Sequence, residues 1–356
     1  MGRKPTENLE LDGRSKAVLL EVVDHYIQKA EPVGSRSVSK THVEKLSPAT
    51  IRNVMSDLED LGYLHQPHTS AGRVPTDKGY RYFVNQIIQP GNSISDIKLP
   101  PDNYDYGTNK NLEDVLENAC GILSRNSNQT GLVMLPSFSN TMFKHIQFVK
   151  VGNHEALAVF YSEMGILQNK IIPIGKEMSQ DQLTSISNYL NQEFSGKTIK
   201  VIRRELVHRI RNEKAHYNQL MKKAMEFSAR VFEDEQENHD LLVEGALNLL
   251  EHPEFTADIQ SMKALLKTLE EKTKLIGLLD RCLQHDGITV FIGEESSEEE
   301  MQGCSLVAEN YGMNDEKMGT VAIFGPKRMD YKKMISIVDH TAKMISKLLS
   351  ERKIDL

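Results

Sequence analysis

Between Arg14 and Ala30 the apolar residues Val18, Leu19, Val22, Val23, Tyr26, Ile27 and Ala30 recur at the spacing of a helix with one buried stripe. Asp12 stands where a cap belongs, and Pro32-Val33-Gly34 breaks the pattern before a short second helix, Ser35 to Lys40. A third stripe follows in Ile51, Val54, Met55, Leu58 and Leu61. Ser47 can accept from the free N–H groups of its first turn, Pro48 suits the first helical position, and Gly62 ends it. Opposite that stripe lie Ala49, Arg52, Asn53 and Ser56, a small polar face. Tyr63 to Gln66 and Arg73 to Pro75 then read as two short strands around the turn Pro67 to Gly72, and Thr76 caps a fourth helix carrying Tyr80, Tyr82, Phe83, Ile87 and Ile88. Three helices, a ribbon and a helix predict a winged helix-turn-helix over residues 1–90, behind a polar lead-in to Leu11.

Pro90 to Ser93 closes that unit, and 91–106, with Pro100-Pro101, reads as a linker. An amphipathic helix over Leu112 to Leu123 precedes a buried strand, Gly131 to Pro136, and a meander of three strands at His145 to Val151, Ala156 to Tyr161 and Ile166 to Ile174. From Gln180 to about Cys282 the pattern is almost purely helical. Strands at Ile288 to Ile292, Ser305 to Glu309 and Thr320 to Phe324 lead into a last helix, Tyr331 to about Leu349. The order predicts an α+β body with a helical excursion in its middle.

A capped helix beside a ribbon has chemistry to offer a duplex. Arg52 and Asn53 carry the donor and acceptor geometry that reads guanine and adenine edges in the major groove. Asp57, Glu59 and Asp60 would repel phosphate, so the helix inserts by its N-terminal half, bringing Ser47, Ala49, Thr50 and Ser56 to the groove. Arg73, His68 and Ser70 of the ribbon fall along phosphate, as does Arg36 of the second helix. A polar face opposite a core stripe is, by itself, what any solvated helix presents; the cap and the adjoining ribbon turn it toward DNA.

The run Ser47-Pro48-Ala49-Thr50-Ile51-Arg52-Asn53, then Gly62-Tyr63-Leu64, then Gln66 through Gly79 resembles the HrcA family of bacterial heat-inducible transcription repressors. Gly319 through Tyr331 is similar to that family again, and the likeness covers nearly the whole chain, least between about Lys176 and Lys274. The resemblance implies a GAF-like domain, 107–144 and 256–356, interrupted by a dimerisation insert at 145–255. An equally defensible division leaves the meander in the GAF-like sheet and confines the insert to about 195–285. It further implies a homodimer that presents two winged domains to the inverted repeat called CIRCE upstream of groE and dnaK. GroEL would help this repressor fold, so that heat shock, by diverting GroEL, relieves repression.

Charge sharpens the picture. The net charge is −7, yet residues 1–90 hold 12 Lys/Arg against 11 Asp/Glu while the remainder holds 31 against 39. Within Val33 to Ser56, Arg36, Lys40, Lys45 and Arg52 face only Glu44, so duplex binding rests on a compact patch and on two linked half-sites. Single, scattered Cys120, Cys282 and Cys304 suit a reducing cytoplasm and give neither a metal nor a disulfide framework. No apolar run is long enough to span a bilayer, and Met1 to Pro5 lacks a signal-peptide core.

His65 and His68 have no further ligand at zinc spacing, and Gly175-Lys176 lacks the upstream glycine of a phosphate loop. Gly325-Pro326-Lys327-Arg328 fits a strand-to-helix turn, or else an anion site at the start of the last helix. No nucleophile with a base, no carboxylate pair and no H-E-x-x-H marks an enzyme, and no cofactor is expected. The competing reading is a small-molecule sensor that tunes DNA binding through the GAF-like body.

Overall fold

The structure, a computed structural model, describes residues 11–40, 46–68, 71–89, 112–136, 142–162, 167–174, 178–199, 201–202, 204–206, 240–256, 259–296, 298–313 and 316–351. Helices α1 (Gly13–Lys29), α2 (Ser35–Val38) and α3 (Pro48–Asp60), strands β1 (Leu64–His65) and β2 (Val74–Pro75), and α4 (Asp77–Ile88) form the N-terminal winged helix-turn-helix. Asp12, Ser47 and Thr76 cap α1, α3 and α4 through their side chains, as their positions predict. Val18, Leu19, Val22 and Val23 of α1 meet Ile51, Met55 and Leu58 of α3 in a buried core with Phe83 and Val84 of α4.

The C-terminal α+β body is built on a five-stranded antiparallel sheet in the order β7-β3-β10-β9-β8. Its strands are β3 (Thr130–Met134), β7 (Leu241–Glu244), β8 (Thr289–Ile292), β9 (Cys304–Met313) and β10 (Glu316–Pro326). Alternation along β10 sends Val321 and Ile323 to one face, with α5 (Leu112–Ser127) and α9 (Tyr331–Glu351), and Ala322 and Phe324 to the other, with α7 (Ile259–Glu271) and α8 (Thr273–Leu283). A strand covered on both faces reads as a continuous apolar run, as Thr320 to Phe324 does.

The meander β4 (Phe143–Lys150), β5 (Glu155–Ser162) and β6 (Leu167–Pro173) forms a separate three-stranded sheet. Its inner face packs Phe143, Ile146, Phe148, Phe160 and Ile172 on Leu183, Ile186, Leu190 and Phe194 of α6 (Gln180–Phe194), a core distinct from those of the main sheet. Asn191, Ser187 and Gln180 of α6 bond the backbone of Ile146, Phe148 and Lys150, so side chains occupy the outer edge of β4. The sheet thus stands apart from the main one, whereas one sequence division merged the two. Leu241 to Glu244, which both divisions place in the insert, pairs with β3 in the main sheet. The stretch from Gln180 to Cys282 is therefore not purely helical: pairing with β3 supplies a strand there that periodicity does not reveal.

Candidate nucleic-acid interface

Ser47 fixes the start of α3: its Oγ accepts from the Thr50 N–H at 3.1 Å and lies 2.9 Å from Thr50 Oγ1. Both hydroxyls thus hold the helix end while remaining beside its outer face. On that face Ala49, Arg52, Asn53 and Ser56 are all exposed in the full chain, with Asp57 and Asp60 exposed further along. Arg36 and Lys40 are exposed on and just after α2, which packs against α3, so Arg36, Lys40 and Arg52 are exposed cations of this helix pair. The structure brings Arg36, Ser47, Ala49, Thr50, Arg52, Asn53 and Ser56 together around α2 and the N-terminal half of α3. Lys45, Thr69 and Ser70 lie outside the described residues.

The ribbon differs from expectation in one respect. His68 is exposed beside the turn, but the Arg73 guanidinium reaches back to Glu59 of α3 at 2.7 Å, and its side chain is 19% exposed. The same carboxylate accepts the Gln66 N–H at 3.0 Å, so one α3 residue grips both strands of the wing. Gln66 Nε2 in turn donates to the Ala71 carbonyl at 2.9 Å across the turn. Arg73 also pairs backbone to backbone with Val33, its N–H and carbonyl each 2.9 Å from their partners. Here Gly72 has a packing reason to be glycine: a Cβ would collide with the Val33 backbone. Glu59, which charge alone marks as a repeller of phosphate, is the residue that sequence reading missed; the only signal was an arginine on the facing wing strand.

The stretch after the wing is a junction. The Thr76 hydroxyl donates to the Gly62 carbonyl at 2.7 Å, and Lys78 Nζ donates to the Leu61 carbonyl at 2.9 Å while lying 4.2 Å from the Tyr63 ring centroid. These bonds satisfy carbonyls that the end of α3 leaves without helical partners. Helix α3 is thereby held at both ends by side chains, while its outer face stays exposed. No helix among the described residues is long and apolar enough to cross a membrane, and those residues hold no group of three or more His, Cys, Asp or Glu arranged for a metal.

A family model described as "Winged helix-turn-helix transcription repressor, HrcA DNA-binding" matches residues 10–89, and one described as "HrcA protein C terminal domain" matches 113–335. The chain is 41% identical over 341 residues to the "Heat-inducible transcription repressor HrcA" of Geobacter sulfurreducens, an alignment covering 96% of this chain and 98% of that one. Proteins of the same name from Syntrophobacter fumaroxidans and Thermodesulfovibrio yellowstonii are 35% and 36% identical, each over 96% of this chain, with 98% and 99% of theirs covered. A solved structure titled "Crystal structure of a hypothetical protein at 2.2 A resolution" shares the fold, with a TM-score of 0.64, 24% identity, 96% of this chain covered and 100% of that one.

Proposed function

The chain belongs to the HrcA family of heat-inducible transcription repressors, and on that premise we propose that it binds the CIRCE inverted repeat as a homodimer and represses groE and dnaK operons. The observation that carries the reading is the solvent-facing surface of α3, where Arg52 and Asn53 stand exposed on a helix fixed at both ends. Arg52 reads a guanine edge and Asn53 an adenine edge. Arg36 and His68 meet phosphate on either side, and Arg73 serves by holding the wing to α3.

The second copy meets the first through the outer face of the β4–β6 sheet. Val149, Leu157 and Ile171 are cross-strand neighbours there, flanked by Val151, Val159 and Tyr161, and Ile171 is 61% exposed. A row of branched apolar side chains left in water on a three-stranded sheet calls for a cover, and a two-fold axis through it would match a palindromic site. The topology supports dependence on GroEL. The main sheet closes only when Thr130 to Met134 finds both Leu241 to Glu244 and Val321 to Phe324, pairings remote in sequence that fold slowly and expose apolar strands meanwhile. Repression is then relieved when heat-unfolded protein occupies the chaperonin.

A gel-shift titration of the full chain on CIRCE and scrambled duplexes, with and without GroEL and ATP, tests the reading. Selective binding that Arg52→Ala weakens by about tenfold or more is expected, since one bidentate base contact discriminates by roughly 1–3 kcal/mol. Equal weak binding to both duplexes, unmoved by the substitution or by GroEL, would overturn it.

A further inference from the structure

The winged domain is seated on the body by a joint that the operator reading does not use. Asp77, in the first turn of α4, pairs with Lys327 at 2.6 Å and accepts the Glu294 N–H at 3.2 Å. Gly293, at φ +53°, leaves room for that carboxylate, because a Cβ there would collide with it. One turn later Arg81 places Nε 2.8 Å from Glu295 Oε1, pairs through a second nitrogen with Oε2, and donates to the Val290 carbonyl at 2.6 Å. Arg328 ion-pairs with Glu254 and donates to the Ile27 carbonyl at 2.8 Å, capping the C-terminal turn of α1 from the body side. Under these bonds Tyr80, Phe83 and Val84 share one continuous buried core with Val290, Tyr331 and Met334. The cations of the Gly325-Pro326-Lys327-Arg328 turn are thus engaged with the winged domain and with Glu254.

The body meets the winged domain through α4 and the end of α1, while Ala49, Arg52, Asn53 and Ser56 stay exposed. DNA can therefore reach α3 without undocking. By contour alone the chain from Gln89 to Leu112 could extend roughly 70 Å, so covalent connection sets no useful limit on where a free winged domain would sit. We propose that the winged domain binds DNA while docked, and that the joint of Asp77, Arg81, Lys327 and Arg328 fixes the half-site spacing the dimer accepts. This rests on the reading of the chain as a dimeric operator-binding repressor.

The test measures affinity of the full chain by fluorescence anisotropy on the CIRCE repeat and on the same repeat with five base pairs added between half-sites. The addition turns one half-site by about half a helical turn. The wild type should lose roughly 100-fold or more on the lengthened repeat. Asp77→Lys or Lys327→Asp, which set like charges against each other, should narrow that ratio to about tenfold or less without changing binding to an isolated half-site, because a tethered domain pays only an effective-concentration penalty. Gly293→Ala, which displaces Asp77 without changing charge, should act likewise, and the double swap Asp77→Lys with Lys327→Asp should restore the wild-type ratio. An unchanged ratio in the single variants overturns the proposal, as does a narrowed ratio that the double swap fails to restore. If the wild type prefers neither repeat to a scrambled duplex, the operator reading fails instead. Small-angle scattering then judges the joint: expansion in Asp77→Lys reversed by the double swap supports it, and identical profiles overturn it.

Discussion

Glu59→Ala separates two accounts of one carboxylate, because they predict opposite signs. As a repelling charge on the recognition helix, Glu59 would cost about 0.5 kcal/mol against a phosphate some 9 Å away in water, less with salt, so its removal should tighten DNA binding by about twofold. As the grip on the wing, it holds the Arg73 guanidinium and the Gln66 N–H together. Charged hydrogen bonds contribute roughly 1.5–3 kcal/mol when well shielded. With the Arg73 and Glu59 side chains 19% and 31% exposed, the pair and the amide bond together are worth about 1–2 kcal/mol. Alanine returns a few tenths through helix propensity and relief at the acidic C-terminal half of α3, too little to offset the loss. The wing should loosen, and affinity for the inverted repeat should fall roughly 5- to 30-fold in an anisotropy titration. Hydrogen exchange supplies the independent reading: the Gln66 amide should lose protection in Glu59→Ala and keep part of it in Glu59→Gln, which retains an acceptor. Tighter binding with Gln66 protection intact would refute the grip and leave Glu59 a simple repeller.

Two further outcomes follow from buried titratable groups. Burial first, and Asp339 second, push the Glu309 carboxyl up to about 7. The folded chain thus holds a proton there that the unfolded chain has released, so this group's contribution to stability falls as pH rises from about 4.5 to about 7; urea midpoints should show Glu309→Gln losing that slope and exceeding the wild type at pH 8. Burial pushes the thiols of Cys120 and Cys282 up to about 12 and that of Cys304 higher still, so a disulfide reagent should titrate no thiol in the native protein at pH 8 and all three in urea.

What the sequence revealed and what it concealed divide by range of interaction. Caps at Ser47 and Thr76, the apolar stripe of α3 and the alternation of the meander are settled within a turn or a strand, and the chain states them locally. Leu241 to Glu244 is four residues inside a helical pattern, and only β3 makes it a strand. Asp77 shows the limit more sharply. Local reading gives it the role of an acid in the first turn of a helix, which it fills, while its oxygens face a lysine 250 positions away and an amide 217 away. Glu59 carries the same lesson at short range: a partner only fourteen residues on gives it a structural role that its charge alone does not reveal. The exposed polar face of α3 is legible because it answers to solvent and not to a partner in the fold. The residues that hold the face in position answer to partners elsewhere in the fold, so local pattern passes them over.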